Sequence, residues 1–198
     1  DLGLVSLFEF MHTTEDLGKL KTAMRSAAAV LARINAAKGT QPVPFDFYGE
    51  IRNKVSKAIA NLLELNLKES LNIADFERLL LQEKGTEVVY IHGDFAFWNI
   101  FVDPATGEVA AIIDAEDSEF GERAEEMAHF IVGMIDGRKN NRLLVMHITE
   151  LLEVFIEEYV RIAGIDRAAL YDQLPYFLVS YLIIGAYRYY RKWGLWDW

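Results

Sequence analysis

The chain contains no cysteine, which excludes disulfide bonds and metal sites built on thiolates. It has only four histidines in 198 residues, and their spacing does not suit a zinc site. No apolar run reaches the roughly 18 residues that can span a bilayer. The nearest candidate, Phe177 to Ala186, is followed by Arg188 and predicts a buried helix. Since no basic signal-peptide region opens the chain, we expect a cytoplasmic protein with no membrane partner.

Basic residues are also scarce, because 20 Lys and Arg face 30 Asp and Glu, for a formal net charge of -10. Nucleic-acid binding needs Lys and Arg to neutralise phosphates, so this balance argues against a nucleic-acid partner. A negative surface tolerates cationic partners, but it is equally what solubility requires. The hydrophobic share of 52% suffices for one sizeable domain. The chain does not open with methionine and starts in an apolar segment, so we expect a piece of a longer protein.

Helical periodicity is the main pattern in the first part of the chain, after an apolar opening. Leu2 to Met11 is rich in aromatic and β-branched residues and predicts a short strand. Apolar residues then recur at helical spacing from Leu17 to Ala37, and Gly39 to Pro44 predicts a loop. Two more helices are predicted, at Tyr48–Leu65 and Ile73–Lys84.

A β-hairpin is predicted in the middle of the chain. Three β-type runs follow one another, Glu87–Ile91, Phe101–Asp103 and Val109–Ile113. Residues 103–107 have the composition of a turn, so the last two runs form the hairpin. After Gly121 the sequence is helical again to Tyr190, with breaks predicted near Gly137, Gly164 and Pro175. The fold class predicted from this order is α+β, mainly helical, with a small hairpin inside it.

Polar residues flank the predicted hairpin on both sides. The pattern His92-x-Asp94-x-x-x-x-Asn99 precedes it, and Asp114 follows it. A hairpin brings its two ends together, so Asn99 and Asp114 can share one Mg²⁺ ion through hard oxygen ligands. Asp94 would then point toward a substrate, where a carboxylate can accept a hydroxyl proton. Each residue alone would more often cap a turn, but the joint pattern matches the one that kinases use for phosphoryl transfer.

These stretches resemble the motifs of a known family. Residues 92–100 (HGDFAFWNI) and 112–117 (IIDAED) look like the core motifs of the aminoglycoside phosphotransferase family. That family includes choline kinase and homoserine kinase relatives and shares the protein-kinase fold. Residues 121–129 (GERAEEMAH) resemble the family segment that leads into the next helix, and residues 7–11 (LFEFM) resemble the hinge strand whose backbone binds adenine.

The resemblance implies a role for each matched residue. Asp94 would be the catalytic base, and His92 would brace its loop. Asn99 and Asp114 would bind Mg²⁺. Glu126 stands where the family has a carboxylate that braces the catalytic loop. The implied activity is transfer of a phosphate from ATP, or from GTP, to a hydroxyl of a small molecule.

The resemblance also predicts the domain organisation. Residues 1–15 would be the hinge strand and linker from an N-terminal lobe, with Glu9 and Met11 binding the nucleotide. Residues 16–198 would be the helical C-terminal lobe, with its catalytic segment at 88–129. The Gly-rich loop and strand Lys of the N-terminal lobe are not in this sequence, so we expect that lobe to be missing, or a partner to cover its surface. We therefore expect these residues alone to bind nucleotide weakly and turn over poorly.

An acidic run lies beside the predicted site and comprises Glu116, Asp117, Glu119, Glu122, Glu125 and Glu126. Glu116 and Asp117 are candidates for binding a cationic substrate such as an aminoglycoside or another amine. The alternative is a solvated loop followed by a helix N-terminus, where the helix dipole favours acidic residues.

Two other functions compete with a small-molecule kinase. The first is a non-catalytic kinase-like lobe that serves as a binding or regulatory module. The presence of Asp94, Asn99 and Asp114 argues against such decay, whereas the missing N-terminal lobe argues for it. The second is a metallophosphoesterase, which also uses Gly-Asp and Asn in loops. That class needs further His ligands in a Gly-Asn-His context, and the sequence contains none.

Overall fold

The computed structural model describes residues 3–44, 46–64, 78, 87–137 and 141–193. The helix predicted at Ile73–Lys84 lies outside these residues, apart from Arg78. No helix within the described ranges is both long and apolar enough to cross a membrane.

Long helices make up most of the described chain, as the periodicity predicts. The helices are α1 (Leu7–Thr13), α2 (Leu17–Ala36), α3 (Phe47–Glu64), α4 (Arg123–Gly137), α5 (Arg142–Ala163) and α6 (Arg167–Trp193). The α2 helix begins where the Asp16 side chain accepts a hydrogen bond from Lys19 N at 3.1 Å. The α5 helix ends at Gly164, whose φ of 65° is the left-handed conformation that closes a helix. The predicted breaks near Gly137 and Gly164 are therefore confirmed.

Two small antiparallel sheets accompany the helices. Their strands are β1 (Val5–Ser6), β2 (Thr40–Pro42), β3 (Glu87–Ile91), β4 (Ile100–Val102), β5 (Val109–Ile112) and β6 (Glu119–Gly121). One sheet has the order β1-β4-β5 and the other β2-β3-β6. The predicted hairpin is confirmed as β4 and β5, with Ile100 opposite Ile112. The β2 strand corrects the loop predicted at Gly39–Pro44, because residues 40–42 pair with β3.

The strand predicted at Leu2–Met11 is wrong over most of its length. Only Val5 and Ser6 pair, at the edge beside β4, and Leu7–Thr13 is helical. Ser6 Oγ accepts a hydrogen bond from Glu9 N at 3.1 Å, which caps the helix. Leu7, Phe10 and Met11 are buried, at the three- and four-residue spacing of a helix face. The run was too short for its apolar content to separate strand from helix.

The break predicted at Pro175 is also wrong, because α6 continues through it. Proline removes one backbone hydrogen bond from a helix interior, which ordinarily bends or ends the helix. Here Leu174, Tyr176 and Phe177 beside it are buried in the core. We attribute the continuity of α6 to that burial, since tertiary packing routinely overrides local propensity.

The helices form one hydrophobic core, in which α2 packs on α5 and α4 packs on α6. Ala23, Ala27 and Ala28 of α2 are fully buried in this core. Phe130 of α4 stacks on Phe155 of α5, with ring centroids 4.5 Å apart. The core thereby holds α4 beside the loop that follows β3.

Buried polar groups connect the helices to the sheets. Tyr48 Oη donates to Glu122 Oε1 at 2.6 Å, and Gly93 N donates to Glu126 Oε1 at 2.8 Å. Glu126 is 2% exposed. Burial raises the pKa of its carboxyl to about 7, although hydrogen bonds from the backbone of Gly93 and His92 oppose that rise. The ionised form of Glu126 therefore destabilises the folded chain.

Two helical glycines should respond to alanine in opposite directions. A Cβ on Gly185 would meet no atom within 4 Å, whereas a Cβ on Gly133 would lie 2.7 Å from Phe97 Cε1. Gly185→Ala should raise the free energy of unfolding by about 1 kcal/mol through helix propensity. Gly133→Ala should lower it by about 1 kcal/mol or more through overpacking. Urea unfolding measures both, and equal shifts for the two variants would contradict this packing.

Glu126→Gln should change how stability depends on pH. A folded-state pKa raised from 4.5 to about 7 leaves stability unaffected below pH 4.5 and reduces it as pH rises to about 7. The free energy of unfolding should fall by on the order of 3 kcal/mol over this pH range. Glutamine can still accept from Gly93 N but carries no charge, so the variant should match the wild type at pH 4.5 and exceed its stability at pH 8. The exposed Glu108→Gln serves as the control, and identical pH profiles for wild type and Glu126→Gln would refute the prediction.

Candidate active site

The loop between β3 and β4 carries Asp94 and Asn99. Two backbone hydrogen bonds shape it, from Ala96 N to Asp94 O and from Asn99 N to Ala96 O, both at 2.8 Å. Since β3 and β4 belong to different sheets, the loop crosses from one sheet to the other. Asp94 lies near the start of that crossing, and Asn99 lies at its end.

Gly93 brings this loop into contact with the loop after β5. Its φ is 87°, and a Cβ at this position would lie 2.7 Å from the carbonyl carbon of Asp117. Both facts require glycine, which has no Cβ and populates positive φ. Ser118 Oγ joins the same two loops by donating to His92 O at 3.1 Å.

The Asp94 carboxylate has a hydrogen-bond partner on one side and an imidazole nearby on the other. Asn99 Nδ2 donates to Asp94 Oδ2 at 2.8 Å and to Asp94 O at 3.1 Å. On the other side, His129 Nε2 lies 3.7 Å from Asp94 Oδ1. The Asp94 side chain remains 29% exposed, so it can reach a molecule bound outside the loop.

Asn99 and Asp114 lie at neighbouring strand ends, as the hairpin argument predicts. Ile113 N donates to Asn99 O at 3.0 Å, and Asp114 is the next residue. Asp114 has a φ of 65°, a left-handed conformation uncommon outside glycine but tolerated by Asp. Asn99 Nδ2 donates to Asp94, so Oδ1 is the atom of the Asn99 amide that is chemically suited to bind a metal. One amide oxygen and one carboxylate fit Mg²⁺, which commonly takes one or two carboxylates and completes its shell with phosphates and water.

The described residues contain no group of three or more His, Cys, Asp or Glu that could hold a metal by itself. A two-residue set such as Asn99 and Asp114 therefore needs oxygens from a bound ligand to complete an octahedron.

A cavity of about 620 Å³ opens beside Asp94. Its lining includes Trp98 and Asp117 from the loops, His129 from α4, and Tyr181 and Arg188 from α6. Trp98 is 47% exposed, which leaves an aromatic face available to a ligand. The volume suits a small molecule.

His129 belongs to this site, although the sequence analysis assigned it no role there. Its ring stacks on Tyr181, with centroids 5.0 Å apart and planes 4° apart. Burial lowers the pKa of His129, while the Asp94 carboxylate opposes that change. A usable signal existed in the sequence, because His129 follows Glu126 by three residues and so shares its helix face.

Three of the other predicted residues lie apart from the cavity. His92 is 3% exposed, and its ring nitrogens find no hydrogen-bond partner among the described residues. Met11 is buried in α1, and its backbone oxygen accepts from Asn141 Nδ2. The Glu9 backbone is held within α1 by Ser6 and Thr13. Nucleotide binding by Glu9 and Met11 stays a prediction, although the hinge strand expected there is a helix.

The acidic run divides into residues with different surroundings. Asp117 lines the cavity, whereas Glu116 is exposed outside its lining. Glu122 and Glu126 are buried and hydrogen-bonded to Tyr48 and Gly93. Asp117 is thus the member of the run that can meet a molecule in the cavity.

The fold is shared with solved phosphotransferase structures. A glucosamine kinase in complex with glucosamine, ADP and inorganic phosphate superposes with a TM-score of 0.65 at 17% identity, over 96% of this chain and 54% of that chain. A macrolide 2'-phosphotransferase type I gives 0.51 at 18% identity, over 86% and 53%. The chain thus spans just over half the length of these proteins. At such identities the likeness establishes the fold alone.

Family membership rests on the sequence itself. A comparison with curated protein sequences finds no match. The sequence model of the phosphotransferase enzyme family, however, matches residues 4–171. That match covers most of the chain and includes the two loops, the hairpin and α4. The chain belongs to the phosphotransferase enzyme family.

Proposed function

We propose that the chain supplies the catalytic part of an ATP- and Mg²⁺-dependent phosphotransferase that acts on a hydroxyl group of a small molecule. The observation that carries the proposal is the Asp94 carboxylate, which Asn99 positions at 2.8 Å beside a cavity of about 620 Å³. A positioned carboxylate beside a cavity that can hold a hydroxylated small molecule is what proton abstraction in phosphoryl transfer requires.

In the proposed reaction the acceptor occupies the cavity with its hydroxyl at Asp94. The hydroxyl oxygen forms a bond to the γ-phosphorus, the bond from that phosphorus to the leaving oxygen of ADP breaks, and Asp94 takes the hydroxyl proton. The Asn99 amide holds the carboxylate in one orientation through its hydrogen bond, so little reorganisation accompanies the transfer. Burial lowers the pKa of His129, which makes its imidazole a weaker base than an exposed histidine.

Asn99 Oδ1 and the Asp114 carboxylate would hold Mg²⁺ at the ends of β4 and β5. The ion, when bound, neutralises charge on the phosphate oxygens. The Asn99 amide would then act in two ways, because its nitrogen orients Asp94 while its oxygen faces the metal. Because one amide contacts both, the position of the Asp94 carboxylate relative to the metal would be fixed. The acceptor hydroxyl and the phosphate would then also be held in a fixed relative position.

The acceptor is proposed to carry a cationic group near Asp117, which lines the cavity. Glu116 would contribute only through its charge, since it lies outside the lining. Kinship with a family of small-molecule phosphotransferases supports the class of acceptor, and the complex of the glucosamine kinase relative contains a hydroxylated amine and ADP. We also propose that residues beyond this chain complete the nucleotide site, given that it spans just over half of its solved relatives.

Asp94→Asn in the full-length gene product should lower kcat by about 10²- to 10⁴-fold, because the amide cannot accept the proton. Nucleotide affinity should stay unchanged. ATP-dependent phosphorylation of a panel of hydroxylated amines measures kcat. The matched control is Asp103→Asn, whose side-chain oxygen can still accept from Ala105 N in the hairpin turn. Full activity of Asp94→Asn would remove it as the base. No transfer by the wild type to any acceptor would favour the non-catalytic alternative.

Gly185→Leu should raise the KM for the acceptor at least tenfold, because its side chain enters space that is open and adjoins the cavity. The KM for ATP should change little. Gly185→Ala, which adds only one methyl group, is the control for changes in the helix. An equal rise in both KM values would indicate that the cavity is not the acceptor site.

A further inference from the structure

Two helix faces form the wall of the cavity opposite the loops. The α6 helix contributes Tyr181, Ile184, Gly185 and Arg188, and α4 contributes His129, Val132 and Gly133. The α6 residues are spaced by three, four and seven, so they lie on one face of the helix. Arg188 is therefore directed to the same side as Tyr181 and reaches the cavity from the far end of that face.

Charges of opposite sign line different sides of the cavity. Asp94 and Asp117 provide carboxylates on the loop side, whereas Arg188 is the one Lys or Arg among its described lining residues. His129 lies between these charges and is stacked on Tyr181. Burial lowers the pKa of His129, the Asp94 carboxylate opposes that change and the Arg188 charge adds to it, so the net direction favours a neutral imidazole over a second cation.

Arg188 is exposed, and no hydrogen bond or ion pair joins it to another residue in the described ranges. By contrast, Arg167 at the start of α6 pairs with Glu153, and Arg161 at the end of α5 pairs with Glu158, each at 2.6 Å. A guanidinium offers five donors in a planar fork that matches a carboxylate or a phosphate. An arginine that faces a cavity without a carboxylate partner is thus available for an anion.

We propose that Arg188 binds an anionic group of the acceptor, a carboxylate or a phosphate ester, while the acceptor hydroxyl lies at Asp94. The acceptor is then a hydroxylated compound with charge of both signs, its amine near Asp117 and its anion at Arg188. This inference rests on the proposed function, because it places the acceptor in the cavity beside Asp94. It makes a purely cationic acceptor a poor fit to the site.

Calorimetric titration of the chain with matched ligand pairs tests the proposal without requiring turnover. Ethanolamine and serine differ by a carboxylate, and glucosamine and glucosamine 6-phosphate differ by a phosphate ester. At least one anionic member should bind about 10- to 100-fold more tightly than its partner, as expected for hydrogen bonds to charged groups. The two pairs distinguish a carboxylate ligand from a phosphate ester. Equal or weaker binding of both anionic members, including no binding at all, would overturn the proposal.

Substitutions of Arg188 test whether its guanidinium causes the preference for the anionic ligand. Arg188→Gln should abolish the preference for the anionic member, and Arg188→Lys should retain part of it, because the charge remains but the planar fork is lost. Arg33→Gln, at an exposed position of α2, should leave the preference intact. A preference that persists in Arg188→Gln would also overturn the proposal.

The two proposals fail in different ways. Tight anion binding that depends on Arg188, without any phosphate transfer that depends on Asp94, would refute the proposed function alone. Transfer that depends on Asp94 but is equally efficient with ethanolamine and serine, and with glucosamine and glucosamine 6-phosphate, would refute the anion site alone.

Discussion

The close approach of the backbone at Gly93 to the backbone at Asp117 is the contact on which the site geometry depends. It joins the loop after β3 to the loop after β5, and a side chain at Gly93 would prevent it. Glu126 holds the same loop from α4 by accepting from Gly93 N. With the loop held on both sides, Asp94 has its carboxylate between Asn99 and His129 and its free edge toward the cavity. Burial raises the pKa of the Glu126 carboxyl, so its ionised form destabilises the fold. The same carboxylate holds the loop that carries Asp94, which is a functional reason for a destabilising group at this position.

The wall of the cavity opposite the loops comes from two helices, of which α4 carries part of the motif at 121–129 and α6 carries no recognisable motif. Glycine at 185 leaves open space on α6, while glycine at 133 lets Phe97 of the loop lie against α4. Trp98, next to Phe97, is then left half-exposed at the cavity. The loops thus bring acidic groups to a site whose opposite wall is aromatic and carries one arginine. The proposed phosphate transfer would therefore take place beside the loops, and the acceptor would be recognised by the faces of α4 and α6.

Sequence reasoning located the loops and the hairpin because their signals are local. Turn residues, β-type runs and the Asp94-to-Asn99 spacing are all read over a few positions. It failed at Leu7–Met11, where a short apolar run suits either a strand or a helix until Ser6 and the core decide. It failed at Pro175 because burial of the neighbouring side chains outweighs one missing hydrogen bond. The strands β2 and β6 have three residues each, too few for a periodic signal, and they form because β3 lies between them.

By itself, the sequence determined the mainly helical class, the hairpin and the family, along with the prediction that Asn99 and Asp114 meet at the hairpin ends. The helical class, the hairpin and the meeting of Asn99 with Asp114 follow from spacing along the chain, which the backbone converts directly into local geometry, whereas the family follows from the resemblance of the motifs. Only the tertiary structure decided that His129, Tyr181 and Arg188 face Asp94, and that Asp117 rather than Glu116 lines the cavity. Helix faces become neighbours through packing of the core, so spacing along the chain can place His129 on the same face as Glu126 but cannot show that the α6 face with Tyr181 and Arg188 lies beside it.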